Sequence, residues 1–356
     1  MTTPDLTVMG GGVFGLACAW EAARRGARVR LVECDRIGAG PSGGLVGALA
    51  PHVPENWNEK KAFQLDSLLM AQGFWDSVET ASGLPTGYAR LGRLQPLADQ
   101  AAADRARARS AEAALLWRGR AVWQVVPATG AAWEPASPSG LLVHDSLSAR
   151  ISPRQSGTAL AAAIRARGGT VEIGQAKPEG PETLGPEILG PVIWATGLAG
   201  LLALGDDLGC VVGAGVKGQA LALGLDARDQ PQIFADGLHI VPHADGTVAI
   251  GSTSETAWLD PQATDAQCEA LLAKAMALMP VLAHGRVLEM WAGLRPRARS
   301  RAPMLGPWPG RQGHFIANGG FKIGFGMAPK VAQVMVDLAL DGRDTIPDSF
   351  RVEASL

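Results

Sequence analysis

The first 33 residues constrain the fold most strongly, because they follow the order strand, glycine turn, helix, strand and acid. A short apolar run leads into three glycines spaced as G-x-G-x-x-G, and a helical stretch and an alternating strand follow. The parts are residues 6–9, the glycines Gly10, Gly12 and Gly15, residues 16–26, and residues 27–33. This order is typical of a dinucleotide-binding βαβ unit.

Each glycine has its own physical task in such a unit. Gly10 permits the tight turn, Gly12 lets a pyrophosphate approach the backbone, and Gly15 lets the helix pack close to the strand. The helix N-terminus at Val13 and Phe14 offers backbone N–H groups and the positive end of the helix dipole. The turn is therefore predicted to bind phosphate.

The same glycine spacing occurs twice more in the chain, and sequence context separates the first match from the others. The further matches are Gly38, Gly40 and Gly43, and Gly213, Gly215 and Gly218. Only the first has a strand before it, a helix after it and an acid beyond, where Glu33 would accept hydrogen bonds from a ribose hydroxyl. We interpret the other two sets as loop glycines.

A stretch of small residues follows the second strand, where an NAD domain would more often continue into another βα unit. Residues 38–47 include Ser42, Gly43 and Gly44. Two interpretations stay open from these residues alone. The stretch either passes close under the second half of a long cofactor such as FAD, or is a flexible surface loop.

Later segments predict strands and glycine loops that would flank such a ligand. They are an apolar strand at 191–197, antiparallel strands at 217–225, 238–242 and 247–252, a strand with a glycine loop at 314–326, and a closing helix at 327–340. The stretch 177–190 is rich in Pro, Gly and Glu and is expected to be exposed. The mixture predicts an α/β fold, with a Rossmann-like core interrupted by an antiparallel β layer.

Composition excludes several classes of protein. The 356 residues suit one large or two interleaved domains, and a net charge of −2 gives no basic field for nucleic acid. The start has no basic region followed by a long apolar stretch, so we expect no secretory signal, and no apolar run is long enough to span a bilayer. Four separated cysteines give no zinc or disulfide pattern, so we expect a cytoplasmic protein without a metal site. The oligomeric state, including a homo-oligomer, stays open.

Four segments together carry a resemblance to a known family. They are residues 10–33, residues 38–52, residues 191–197 with 216–218, and residues 291–329, which begin Trp-Ala-Gly-Leu-Arg-Pro and later read Asn-Gly-Gly-Phe-Lys-Ile-Gly. The chain resembles the FAD-dependent amine and amino-acid oxidoreductases of the D-amino-acid oxidase superfamily. The order and spacing of the segments are most similar to those of the glycine oxidases.

The resemblance implies a fold, a cofactor and a reaction. A discontinuous domain, residues 1–84, 144–212 and 293–356, would bind FAD non-covalently, and residues 85–143 and 213–292 would form a substrate domain. Members oxidise a C–N bond of a small amino acid or amine to an imine, with hydride passing from Cα to flavin N5. The electrons then reach O₂, giving H₂O₂, or another acceptor.

The resemblance also implies roles for particular residues. Arg295 matches the arginine that holds the substrate carboxylate, and His239 and Lys322 replace a tyrosine and an arginine of close relatives. His52 is expected near the ring end of the cofactor, and no acid–base residue is predicted. The predicted cofactor-binding residues are Gly10, Gly12, Val13, Phe14, Gly15, Glu33, Ser42, Gly43, Gly44, Thr196, Gly197, Gly319, Gly320, Phe321, Lys322 and Ile323.

Alternatives remain for these residues and for the function. Arg295 could instead form a structural ion pair. His239 could hydrogen-bond a carboxylate and titrate near neutral pH, or be an ordinary strand histidine, and Lys322 could face the flavin, the substrate or solvent. A flavin dehydrogenase with another acceptor would share the same half-reaction. An enzyme acting on an aminomethyl-modified tRNA base and a regulatory flavin- or NAD-binding module are further hypotheses, which the near-neutral charge and Arg295 disfavour respectively.

Overall fold

Two large β-sheets carry the fold within residues 3–174 and 190–356, the part of the chain that a computed structural model describes. One sheet is mainly parallel and the other mainly antiparallel, which confirms the predicted fold class. The stretch 177–190, predicted to be exposed, lies outside the described residues except for Gly190.

The first sheet has the spatial strand order β15, β16, β9, β1, β2, β8. Its strands are β1 (Leu6–Met9), β2 (Val29–Glu33), β8 (Thr170–Ile173), β9 (Val192–Trp194), β15 (Met304–Pro307) and β16 (His314–Asn318). All neighbours are parallel except β15 and β16. The carboxyl ends of β1, β9 and β16 therefore meet at one edge, where ligands bind in open α/β sheets.

Helices cover both faces of this sheet. Leu6 and Val8 of β1 belong to one apolar cluster, and Met9 belongs to another. The first cluster includes residues of α1 (Val13–Arg24), α2 (Glu59–Ser82), α3 (Gln100–Leu116), α4 (Pro153–Ala166) and α7 (Gly324–Asp341), and the second includes residues of α5 (Gly197–Leu208). Strand residues alternate between the two faces, which explains this division.

The second sheet has the order β14, β10, β13, β12, β11, β4, β6, β5, and its only parallel pair within the described residues is β4 with β11. Its strands are β4 (Arg93–Pro96), β5 (Trp123–Pro127), β6 (Leu141–Asp145), β10 (Gly213–Gly224), β11 (Gln232–Ala235), β12 (Leu238–Pro242), β13 (Thr247–Gly251) and β14 (Arg286–Ala298). Helix α6 (Ala266–Leu278) packs in the apolar cluster of this sheet, α3 (Gln100–Leu116) lies near β5, and β3 (Ala48–Leu49) pairs with β7 (Ala149–Arg150).

The glycines of the third G-x-G-x-x-G match differ from the sequence expectation. Gly213, Gly215 and Gly218 lie inside β10, so their interpretation as loop glycines is wrong. The predicted domain boundaries at 144 and 293 fall inside β6 and β14, and the division into domains stays a prediction. Helix α5 follows β9 and was not predicted from the sequence. Within the described residues, no helix is both long and apolar enough to cross a membrane.

Candidate active site

A cavity of 690 Å³ opens where the carboxyl ends of β1 and β9 meet the β10–β14 side of the second sheet. Met9, Gly10 and Ala195 line it from the first sheet, and Ala220 and Arg295 line it from the second. Its position agrees with the general rule that ligands bind at the carboxyl edge of a parallel sheet. The two sheets contribute different kinds of surface to it.

Bare backbone forms the end of the cavity next to α1. Gly10 has φ +106°, and a Cβ there would lie 2.4 Å from the carbonyl oxygen of Ala195. A Cβ at Gly15 would lie 2.0 Å from the carbonyl oxygen of Gly10. Neither backbone neighbour can move away, so both positions require glycine. The tasks predicted for the first and third glycines of the motif agree with this geometry.

Side chains from two neighbouring segments stabilise this turn. Glu33 is buried, and its Oε2 accepts a hydrogen bond of 2.6 Å from the backbone N–H of Gly11. Ser42 Oγ accepts a hydrogen bond of 3.0 Å from the N–H of Val13, the first residue of α1. Glu33 lines the cavity as well as bracing the turn, and its hydrogen bond to a ribose stays a prediction.

The stretch 38–47 has defined contacts. A Cβ at Gly43 would lie 2.2 Å from the carbonyl oxygen of Gly38, so the stretch folds back on itself. Arg154 of α4 donates from Nε to the carbonyl oxygen of Gly43 at 2.8 Å and pairs through both Nη atoms with Glu289 of β14. These contacts, and the presence of Ser42 and other loop residues in the cavity wall, favour a role beside a ligand over a free surface loop.

Two glycine-containing turns, which follow β9 and β16, form the wall opposite the N-terminus of α1. Thr196 lines the cavity, and its buried Oγ1 has no hydrogen-bond partner among the described residues. Asn318 Nδ2 donates to the carbonyl oxygen of Gly197 at 2.7 Å and so joins the turns after β9 and β16. A buried hydroxyl without a partner is costly, so the Thr196 hydroxyl is available to a bound group.

Beyond β16, the chain turns sharply before α7 begins. Phe321 has φ +43°, and its N–H donates to the carbonyl oxygen of Pro296 at 3.1 Å. A Cβ at Gly320 would lie 2.9 Å from the ring of Phe14. This turn therefore links the start of α1 to the end of β14, with Phe321 and Lys322 in the cavity wall.

Arg295 is a buried cation in the cavity wall. Its exposure is only 8%, and Nη1 donates to the carbonyl oxygen of Thr253 at 3.2 Å. Within the described part of the chain, no carboxylate forms an ion pair with it. Burial lowers the pKa of Arg295 to about 10, partly offset by the negative charge of Glu255, so the guanidinium stays charged at neutral pH. A buried cation with free donors is a site for an anion.

His239 of β12 lies in the same wall. Its ring packs 4.7 Å from the ring of Phe234, and its buried Nδ1 has no hydrogen-bond partner among the described residues. Burial and the positive charges of Arg93 and Lys322 lower the pKa of His239 to about 3. The expectation of titration near neutral pH is therefore wrong, because the ring is held in its neutral form.

Lys322 contributes a second positive charge to the cavity. Its side chain is exposed on one side, and Nζ lies 5.7 Å from the centroid of the Phe321 ring. Partial burial and the nearby charge of Arg295 lower the pKa of Lys322 below its ordinary value. The two cations thus act on the same space, although Lys322 retains contact with solvent.

The structure brings most of the predicted residues to this cavity. Those that line it are Gly10, Gly12, Val13, Phe14, Glu33, Ser42, Gly44, Thr196, Gly197, His239, Arg295, Gly320, Phe321 and Lys322. Four predicted cofactor contacts, Gly15, Gly43, Gly319 and Ile323, do not line it. Of these, Gly15 and Gly43 shape the backbone behind the wall.

The expected position of His52 also differs. Its Nδ1 lies 2.5 Å from Gln64 Oε1 of α2, outside the cavity wall. Phe234 and Trp291 also line the cavity, and Thr253 is a partner of Arg295, although the sequence did not predict these roles. Trp291 could have been found, because residues four apart in a strand share a face and Arg295 was already identified.

The chemistry of the two ends fits a dinucleotide that carries a reactive ring. At one end, bare backbone, the N-terminus of α1 and the free Thr196 hydroxyl suit phosphate and sugar groups. At the other, Arg295, His239 and aromatic rings can hold a small anionic molecule beside that ring.

Comparisons with known proteins agree with this arrangement. Residues 5–338 match the family model described as FAD dependent oxidoreductase. A glycine oxidase from Pseudomonas aeruginosa is 37% identical over 134 residues, which cover 37% of this chain and 36% of that protein. The bifunctional protein ThiO/ThiG of Trichormus variabilis is 28% identical over 361 residues, covering 95% of this chain and 53% of that protein.

A solved structure extends the comparison to the fold. The crystal structure of glycine oxidase from Geobacillus kaustophilus superposes with a TM-score of 0.79 and 23% identity, covering 98% of this chain and 97% of that one. The first two relatives are matched over only about a third and about half of their own lengths.

Proposed function

The chain belongs to the FAD-dependent oxidoreductase family, and from this premise we propose that it oxidises the C–N bond of a small amino acid or amine that bears a carboxylate. The observation that carries the proposal is Arg295, a buried guanidinium in the cavity wall without a carboxylate partner in the described chain. The resemblance to glycine oxidase and ThiO-type proteins supports the same class of substrate.

The proposal assigns the cofactor to the end built by the first sheet. The N-terminus of α1 and the backbone at Gly10 and Gly12 would bind the pyrophosphate, and Glu33 would bind a ribose hydroxyl. The turns at Thr196 and Gly320 would lie beside the rest of the molecule. When bound, FAD accepts a hydride from the substrate carbon at its flavin ring.

The second sheet would bind and orient the substrate. Arg295 would hold the carboxylate through its free donors, which fixes the α-carbon relative to the ring. The neutral ring of His239 offers an unpartnered Nδ1 for a hydrogen bond with the substrate. Lys322 adds positive charge at the solvent side. The amine would bind neutral and release its N–H proton to solvent, so no side chain has to act as a general base.

The division of labour between the sheets follows from these assignments. We propose a discontinuous cofactor domain built on the first sheet and a substrate domain built on the second, with β14 entirely in the latter. Non-covalent binding of FAD and a cytoplasmic location, expected from the sequence, remain part of the proposal.

Dioxygen is the proposed electron acceptor, which gives the imine, its hydrolysis products and H₂O₂. A dehydrogenase that passes the electrons to a quinone or protein would share every residue assigned above. A substrate within tRNA is disfavoured by the net charge of −2, since binding of a polyanion is driven by Lys and Arg contacts to phosphate.

The proposal is tested by anaerobic mixing of the FAD-loaded protein with a panel of amino acids and N-methyl amines. We expect at least one small carboxylate-bearing amine to bleach the flavin absorbance, while the matching amine without a carboxylate does not. Admitting air should restore the absorbance and produce H₂O₂. Flavin that stays bleached in air would favour the dehydrogenase, and no bleaching by any member of the panel would contradict the proposal.

A further inference from the structure

Two glycines face each other directly in the part of the second sheet that lines the cavity. In the antiparallel pairing of β10 with β14, Gly218 stands opposite Gly293. On one side of this pair, Val216 stands opposite Arg295, and on the other, Ala220 stands opposite Trp291. Residues two apart in a strand share a face, so all three cross-strand pairs point to the same face of the sheet.

The side chains of Arg295 and Trp291 occupy the space above this glycine pair. A Cβ at Gly218 would lie 1.9 Å from both Nη1 and Nη2 of Arg295 and 2.0 Å from its Cζ. A Cβ at Gly293 would lie 2.6 Å from Cζ2 of Trp291. Each glycine therefore leaves room for a functional group that a methyl group would displace.

The two positions differ in what else they affect. The ring of Trp291 also reaches the loop at residues 38–47, since a Cβ at Gly44 would lie 3.3 Å from its Cη2 and Cζ3. The guanidinium of Arg295 is instead held on the substrate side, by the carbonyl oxygen of Thr253. Displacing Trp291 should disturb both ends of the cavity, whereas displacing the guanidinium should disturb only one.

We propose that Gly218 and Gly293, which do not themselves line the cavity, form a floor on which the side chains of Arg295 and Trp291 lie, and that by positioning these side chains they determine specificity for the carboxylate. The inference rests on the proposed function, because it takes the carboxylate as the ligand of Arg295. The bare pair lets the guanidinium and the indole lie side by side over the sheet. A methyl group at Gly218 would push the flexible guanidinium away from this position without contacting the glycine turn of the cofactor end.

The test measures acetate binding to the FAD-loaded protein from the change in flavin absorbance, since acetate offers a carboxylate with no amine to oxidise. We expect Gly218→Ala to weaken acetate binding roughly 10- to 100-fold, the loss of a charge-assisted contact, and to leave FAD binding unchanged. The KM for an oxidised amine should rise by a similar factor with kcat little changed. Gly224→Ala in the same strand is the matched control, because a Cβ there meets Leu288 at an ordinary 3.4 Å.

A double-variant cycle tests whether Gly218 affects acetate binding through the side chain of Arg295. In the Arg295→Ala background, adding Gly218→Ala should weaken acetate binding no further, because the displaced group is gone. Unchanged acetate binding in Gly218→Ala, or an equal loss of acetate binding in both backgrounds, would contradict the proposed role of Gly218 in positioning Arg295. Acetate binding that Arg295→Ala leaves intact would instead contradict the proposed function.

A folding defect would also be informative. If Gly218→Ala loses FAD or unfolds at lower temperature, the clash with the guanidinium predicts that Gly218→Ala/Arg295→Ala recovers the FAD absorbance and thermal midpoint of Arg295→Ala. Failure of the double variant to recover them would make Gly218 a purely structural residue and overturn the proposal.

Discussion

The two ends of the cavity are built from different materials. At the end formed by the first sheet, backbone groups form most of the wall, and glycines such as Gly10 and Gly15 make room for close backbone approach. At the end formed by the second sheet, side chains form the wall, and Arg295 and His239 come from separate strands. Under the proposed function, a fixed backbone turn would hold the cofactor and movable side chains would hold the substrate.

This difference predicts how each end responds to change. Backbone atoms cannot yield to an added methyl group, so substitutions in the glycine turn should be severe and should affect cofactor and fold together. Side chains in the second sheet can move, so substitutions there should change binding of the small ligand and leave the cofactor in place. The following changes test this contrast, beginning with the largest expected effect.

Gly15→Ala should abolish stable FAD binding. A Cβ at Gly15 would lie 2.0 Å from the carbonyl oxygen of Gly10, and overpacking against backbone costs about 3 kcal/mol. Flavin absorbance of the purified protein and thermal unfolding measure the effect. The control is Gly73→Ala in α2, where a Cβ would meet nothing within 4 Å. This substitution should raise the free energy of unfolding by about 0.5–1 kcal/mol, because alanine is favoured over glycine inside a helix. A Gly15→Ala protein with full FAD content would contradict the backbone cradle.

His239 should make folding stability depend on pH at the substrate end. Its pKa is lowered from an ordinary 6.5 to about 3, so protonation favours the unfolded chain. The stabilising contribution is complete above pH 6.5 and is lost as the pH falls towards 3, by at most about 1.4 kcal/mol per pH unit. Urea unfolding at pH 7.5 and pH 5 should show a smaller loss for His239→Asn than for the original protein. Equal losses would contradict the burial of a neutral ring.

The contact between the two ends through Arg154 should have the smallest effect. This side chain joins the carbonyl oxygen of Gly43 to Glu289 of β14, but both charged groups are partly exposed, so the pair contributes about 0.2–1 kcal/mol. Arg154→Gln should raise the dissociation constant of FAD less than about fivefold. Glu289→Gln, which keeps the contact with Gly43, should have less effect still. A larger loss of FAD affinity in either variant would contradict the view that the cofactor end and the substrate end of the cavity respond separately to substitution.

The sequence predicts the strand–turn–helix–strand unit at the cofactor end because that unit is local. The strand, turn, helix and acid around Gly10 and Glu33 lie within one continuous segment. The spacing of a short motif in this segment indicates which positions require glycine. The predicted cofactor contacts that do not line the cavity depend on packing outside this segment. Gly43 supports the loop from behind instead of lining the cavity, which its position in a glycine-rich stretch did not indicate.

The substrate end is less predictable because it is assembled by strand register. Phe234 and Trp291 reach the cavity only through the pairing of distant strands, and Thr253 becomes a partner of Arg295 in the same way. The glycines of β10 appeared to belong to a loop, but packing against side chains such as Arg295 overrides glycine's preference for turns. The lowered pKa of His239 depends on burial and then on the charge of Arg93, a residue almost 150 positions earlier in the chain.

Comparing the binding of FAD and of a carboxylate ligand in Arg295→Ala tests the central claim most directly. We expect the affinity for acetate or for the oxidised amine to fall roughly 10- to 100-fold, because one charge-assisted contact is lost, while the dissociation constant of FAD stays within about twofold. Arg299→Ala, which removes an exposed arginine four residues away, should change neither. Equal weakening of FAD and carboxylate binding, or no weakening of either, would contradict the assignment of Arg295 to the substrate.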